Sequence, residues 1–361
     1  MTRARRLRRA LALLAVGALA STLAVTASAA APVAPTAPQA AKAAGAPTGL
    51  DAPAGPTAAE RAAQVQATQV TSIDYGPYTA PGAPNNPDGT HGHVHTGNLF
   101  AFGVRKPCND CYITKMWADL VYPDGRQAGW STNTMLHHMV LFNADWTKVD
   151  PTCHVGFPFP LGLLFGQRFF ASGDERTVID LPAGFGYRVN GYSTFNMIYE
   201  LANMQAAAQN VIIRMHYEWV PASTPGIRNV EPIWFDVAQC GFSTVSVPQG
   251  RSERSWTWWV NRPGDIVAIG GHIHDGGENI EIRNDSTGRV ICNSVAGYGE
   301  SPLYIDHHGE GHISSMSKCH STGGEPHMRV ENGQWVTIRA KYNMPAAVDD
   351  QMGIVMAFVA Q

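Results

Sequence analysis

In VIIRMHYEWV, residues 211–220, apolar side chains recur at every second position: Val211, Ile213, Met215, Tyr217 and Trp219 share one face, while Arg214, His216 and Glu218 take the other. Only an extended strand with one buried face gives meaning to a period of two. GQWVTIRAKY repeats the pattern, with Val336, Ile338, Ala340 and Tyr342 opposite Thr337, Arg339 and Lys341. NIEIRNDSTGRVIC places two such runs around an Asn-Asp-Ser-Thr-Gly turn, the signature of a hairpin. LHHMVLFN, RSWTWWV and MGIVMAFVA are further strands by the same reasoning, and helical patterning is confined to ELANMQAAAQN and an Ala-rich run near residue 60. Short strands punctuated by Gly and Pro predict an all-β chain of two antiparallel, jelly-roll-like β-sandwich domains in tandem. These would span residues 71–235 and 236–361, with the crossing between them inside residues 220–250.

The first 29 residues read as a cleaved secretory signal: Arg3, Arg5, Arg6, Arg8 and Arg9, then an apolar run, then Ala27-Ser28-Ala29. The paired arginines also fit a twin-arginine export route. Residues 30–70, rich in Ala, Pro, Thr and Gly, cannot bury a core and read as a linker. The formal charge of the whole chain is −3, and removing five arginines leaves the rest more acidic. No basic stripe then remains to hold nucleic acid, and no later apolar run is long enough to span a bilayer. The expected product is an extracellular protein. In that compartment Cys108, Cys111, Cys153, Cys240, Cys292 and Cys319 point to disulfides. Six cysteines allow fifteen connectivities. Cys292 with Cys319 is the preferred pair, and CNDC is either a small-loop disulfide or a redox pair.

GGHIHDGG, residues 270–277, sets His272 and His274 on one face of a strand, at a spacing suited to one metal ion. A turn-rich strand with two exposed histidines is the plain alternative. His137 and His138 are adjacent, and a regular strand would send them to opposite faces, so both reach one ion only at a strand end or a bulge. His216 lies on the polar face of its strand, where a solvated or salt-bridged histidine is the commoner case. Met352 heads an apolar strand; a methionine there is ordinary core unless the metal is soft, as copper(I) is.

Taken in order, His137-His138, His216 in VIIRMHY, His272-x-His274 and Met352 resemble the ligand series of the copper type II, ascorbate-dependent monooxygenases, the family of peptidylglycine α-hydroxylating and dopamine β-monooxygenases. HHMVLF is similar to that family's first copper motif, and LPAGFGYRVNG, residues 181–191, to a stretch between its second and third histidine ligands. The resemblance runs from about residue 130 to the end. It implies two copper ions, one held by His137, His138 and His216 and the other, where dioxygen and substrate meet, by His272, His274 and Met352. It also implies ascorbate or a similar one-electron donor, and hydroxylation of a C–H bond in a small substrate. Asp275 would orient a ligand histidine or cap a turn, and Glu200 is a remote substitute for His216. The resemblance breaks at Gly270, Ile354 and Met356, where peptide-amidating members carry an arginine, an asparagine and a tyrosine that hold a substrate carboxylate. Glycine-extended peptides are therefore not expected as substrates, and a more apolar pocket is.

Two further clusters stand outside this series. HGHVHTG aligns His91, His93 and His95, and DHHGEGH holds His307, His308 and His312 with Asp306 and Glu310, near Cys319-His320 and His327-Met328. They keep open a second function, copper binding or buffering without catalysis. A zinc hydrolase ranks last, because no paired general base accompanies the histidines.

Overall fold

The computed structural model describes residues 56–83, 94–153, 166–320 and 328–361. The expected signal, most of the expected linker, and His91, His93 and His327 lie outside these residues, as does the His320 side chain. Helix α1 (Ala58–Ala67) falls within the stretch expected to be linker. Thr57 and Glu60 close a capping box at its start. Buried Gln64 ties the helix down by accepting the Gly184 N–H at 2.9 Å.

The strands of the N-terminal half are β1 (Gln69–Ala80), β2 (Val94–His95), β3 (Leu99–Val104), β4 (Cys111–Val121), β5 (Thr134–Asn143), β6 (Gln167–Gly173), β7 (Ile179–Asp180), β8 (Phe185–Val189), β9 (Phe195–Asn203), β10 (Gln209–Pro221) and β11 (Arg228–Asp236). Those of the C-terminal half are β12 (Val245–Val247), β13 (Gly250–Trp259), β14 (Gly264–Ile273), β15 (Gly277–Asn284), β16 (Arg289–Tyr298), β17 (Ile313–Met316), β18 (Cys319–His320), β19 (Met328–Val330), β20 (Trp335–Met344), β21 (Val348–Gln351) and β22 (Gly353–Ala360). One long sheet runs β1-β10-β4-β8-β11-β22-β14-β18 through both halves. A second sheet, β2-β9-β5-β6, a third, β13-β20-β15-β16-β17, and the two-stranded β12-β21 complete the layers among the described residues. The chain is thus an all-β sandwich fold, as its alternation predicts.

What the alternation does not show is that the halves share a sheet. β22 is buried along its whole length. Met356, Phe358 and Ala360 enter one core together with β1, β4, β5, β9 and β10, while Val355, Ala357 and Val359 enter a second core with β13, β15 and β20. A strand covered on both faces reads as an unbroken apolar run, which is why MGIVMAFVA lacks the alternation of β10. ELANMQAAAQN is not helical: its first residues end β9, and a short turn leads to β10. β9 is buried throughout, between β5 on one side and β2 and β3 on the other. Pairing on both edges outweighs the local helix preference of Glu, Leu and Ala.

All six cysteines are paired, Cys108–Cys111, Cys153–Cys240 and Cys292–Cys319. The first is the small loop of CNDC, and the last is the pair preferred from sequence. Cys153–Cys240 closes a separation of 87 residues, a constraint on the unfolded chain worth about 4–5 kcal/mol. No helix among the described residues is long and apolar enough to cross a membrane.

Candidate metal centre

The adjacent histidines reach one place because β5 is bulged. Its pairing with β9 steps from Leu136↔Leu201 to His138↔Glu200, so His137 is the extra residue. A bulge re-aims side chains that a regular pleat would send to opposite faces. Here it brings Nδ1 of His137 to 3.1 Å from Nδ1 of His138. From the other half, β14 pairs with β22 in the register His272↔Ile354 and Ile273↔Gly353. Met352 immediately precedes β22 and lines a cavity together with His138 and His272. The His274 ring lies 4.3 Å from that of His137, 6.1 Å from that of His138 and 5.2 Å from that of His272, centroid to centroid. One donor nitrogen from each of His137, His138 and His274 falls within 4.8 Å of the others.

Each ring is aimed by a second contact. His272 is fully buried, and its Nδ1 donates to Glu175 Oε1 at 2.9 Å. His274 Nδ1 donates to the Asp350 carbonyl at 2.8 Å, and His138 Nε2 to Asn98 Oδ1 at 2.9 Å. Glu200 reaches both His95 Nδ1, at 2.9 Å, and His138 Nε2, at 3.7 Å. Fixing one nitrogen of an imidazole as donor leaves the lone pair of the other for a metal. The Nε2 atoms of His272 and His274 are buried with no hydrogen-bond partner. A buried polar atom left so costs about 1–3 kcal/mol, and a bound cation removes that cost. The residues fit a metal ion.

The electrostatics agree. Burial, with the neighbouring His274, His272 and His95, pushes the pKa of His138 far below the usual imidazole value. Burial and His272 bring His274 down to about 4. Both rings are neutral near pH 7, the ligating form. Burial alone would raise the pKa of Glu175, but the His272 ring and the Thr177 hydroxyl outweigh it and hold the carboxyl at about 2. Glycines make the approach feasible. A Cβ on Gly173 would stand 2.6 Å from the His137 carbonyl oxygen and 2.7 Å from the His272 ring. Gly270 packs against Ile179 and Thr177 of the other half, which leaves no room for a long side chain where peptide-amidating enzymes carry arginine.

Two cavities flank the histidines. Met352, His138, His272 and Asn98 line a small one of about 20 Å³. His137, His274 and Asp350 line a larger pocket of about 280 Å³, with Trp130, Met135 and Met344 among its apolar walls.

The structure does not bring His216 to this cluster. Its Nδ1 lies 2.7 Å from Ser72 Oγ and its Nε2 3.1 Å from Asp119 Oδ2, and its ring stacks on Trp117. His137, His138 and His274 come together, with the His272 ring beside His274 and Met352 lining a cavity with His138 and His272. Asp275 orients no ligand histidine: its carboxylate accepts from His312 Nδ1 at 2.5 Å and from the Ile313 N–H. His312 stacks on Trp130 with centroids 3.3 Å apart, and among the described residues neither it nor His307 or His308 joins a metal-holding group. His95, set apart by the sequence reading, stands 4.4 Å from the His137 ring. No periodic signal points to Glu175 or Asn98; for His95 the signal was the repeat HGHVH itself.

The family described as "SURNod19: Stress up-regulated Nod 19" matches residues 221–361. The chain is 29% identical over 311 residues, 80% of this chain and 71% of the other, to "Probable copper-dependent oxygenase M1" of Phoma sp.. It is 28% identical over 268 residues, 68% of this chain and 78% of the other, to "Probable copper-dependent oxygenase clz3" of Cochliobolus lunatus. A solved structure titled "Crystal Structure of the STIV MCP" overlays 81% of this chain and 97% of that one at a TM-score of 0.31 and 10% identity, too distant to bear on the fold.

Proposed function

We propose that this chain is a secreted copper-dependent oxygenase of the type II, ascorbate-dependent kind, which hydroxylates a C–H bond of a small, largely apolar molecule. The observation that carries this reading is the convergence of His137, His138 and His274, from two halves of the chain, on one point beside an open pocket. Two fungal relatives named as probable copper-dependent oxygenases support it, as do the disulfides, which suit an oxidising compartment. Imidazoles hold both copper oxidation states, and a thioether beside them favours copper(I), which singles out copper over zinc.

Bound copper would take single electrons from a donor such as ascorbate and activate dioxygen toward the substrate. The protein's part is positional. His137, His138, His272, His274 and Met352 supply the donors, and Glu175, Asn98 and the Asp350 carbonyl keep the imidazole protons on the nitrogens that face away. Trp130, Met135 and Met344 give the pocket apolar walls that hold substrate and displace water. With Gly270 packed against Ile179, that position supplies no cation to seize a peptide carboxylate.

Copper analysis joined to dioxygen uptake tests the reading. The purified chain should retain copper through dialysis and consume dioxygen only when ascorbate and an apolar C–H substrate are present. Copper retention without uptake under a broad substrate screen would favour the buffering function, and failure to retain copper would overturn both. Appreciable hydroxylation of a glycine-extended peptide would refute the pocket assignment.

A further inference from the structure

His95, His137 and Asp350 also bring one donor each to within 4.8 Å of one another, and this second set meets the first at His137. We propose that His95, His137 and the Asp350 carboxylate form a second metal station in the same centre, so that two ions sit side by side and share the His137 ring. The inference rests on the copper reading and deepens it. It replaces a pair of separated pockets, one of them needing His216, with a single contiguous centre.

Three features support the station. His95 is held in place by the buried Glu200, which accepts from its Nδ1 at 2.9 Å, so the ring is pre-positioned in the way ligand imidazoles are. His95 and Asp350 come from opposite sides of the junction, β2 in one half and β21 in the other, and converge on the bulged residue of β5. The donor set also differs in chemistry. Two imidazoles and a carboxylate make a harder site than imidazoles with a thioether, and suit a divalent first-row ion such as copper(II).

Asp350 and His137 line the pocket of about 280 Å³, so an ion on this station would stand beside the space proposed for substrate. An imidazole has two nitrogens and can hold one ion on each. Occupying the second releases the ring N–H proton to solvent, which balances the step.

The test is a copper(II) titration of the metal-free full chain, followed by electron paramagnetic resonance and metal analysis. Two ions per chain are expected, with spin intensity well below the copper bound, because spins sharing one ring couple. His95→Ala should remove the second binding event and leave the first, and Asp350→Asn should weaken it about tenfold or more. Both residues are at least partly exposed, and thermal unfolding checks that each variant folds; if His95→Ala does not, Asp350→Asn carries the test. Binding of one ion by wild type and His95→Ala alike would overturn the second station and leave the oxygenase reading intact. So would two ions with full spin intensity, or loss of the second event in His216→Ala. A chain that binds no copper at all would overturn both readings.

Discussion

His216 in β10 and His272 in β14 are both strand histidines, and each has a carboxylate on one ring nitrogen, Asp119 in the first case and Glu175 in the second. The other nitrogen separates them. In His216 it meets the Ser72 hydroxyl on a half-buried face stacked against Trp117, so the ring is a saturated link between strands. In His272 it is buried and bare. A histidine becomes a ligand when the fold leaves a lone pair without a donor and withdraws water from it. Neighbouring residue types do not show this, because the deciding atoms lie on other strands.

The largest effect expected of that contrast is on copper affinity. His274→Ala should weaken copper binding by about a hundredfold or more, since it removes a donor from the convergent set, while His216→Ala should leave it within about twofold. Competition with a chelator of known affinity measures both, and equal losses would erase the distinction. The carboxylates come next. Glu175→Gln should lower copper affinity about 10–100-fold, the usual effect of removing the partner that orients a ligand imidazole, whereas Asp119→Asn should not change it. A Glu175→Gln protein with wild-type affinity would show that His272 is buried structure and not a ligand.

Packing sharpens the contrast further. Gly173→Ala should destabilise the chain by about 1–3 kcal/mol in urea unfolding, because the new Cβ meets the His137 carbonyl and the His272 ring. Gly191→Ala, where a Cβ meets nothing within 4 Å, should fall within about 0.5 kcal/mol of wild type. Last is the pH effect on the metal-free protein, whose slope is at most about 1.4 kcal/mol per pH unit for each group. His274 titrates near 6.5 when unfolded and near 4 when folded. The unfolded chain thus takes up its proton first, and stability present above 6.5 is lost as pH falls toward 4. Glu175, lowered from 4.5 to about 2, adds a further loss between those values. His274→Gln should flatten the upper part of the curve, and an unchanged slope between pH 6.5 and 4 would contradict the burial of that ring.

The strands of this chain were legible because a half-buried strand writes its burial into the sequence every second residue, as β10 and β20 do. β9 was misread because both its edges are paired, and full burial erases the period. At the site, His137, His138, His272, His274 and Met352 stood out by type and spacing. His216 stood out for the same reason and is not among them, because Ser72 and Asp119, far away in sequence, complete its ring.

The amino-acid sequence alone determined the all-β class, the paired histidines and the absence of an arginine at Gly270, and it favoured Cys292–Cys319 without excluding other pairings. Those are local properties: a pattern of apolar residues, a pair of neighbours, a missing side chain. Tertiary structure decided that one sheet joins the halves, that His137 is the bulged residue, and that Glu175, Asn98 and His95 surround the histidine cluster. The reason is geometric: convergence depends on register and strand order across elements over a hundred residues apart, and no local pattern encodes those.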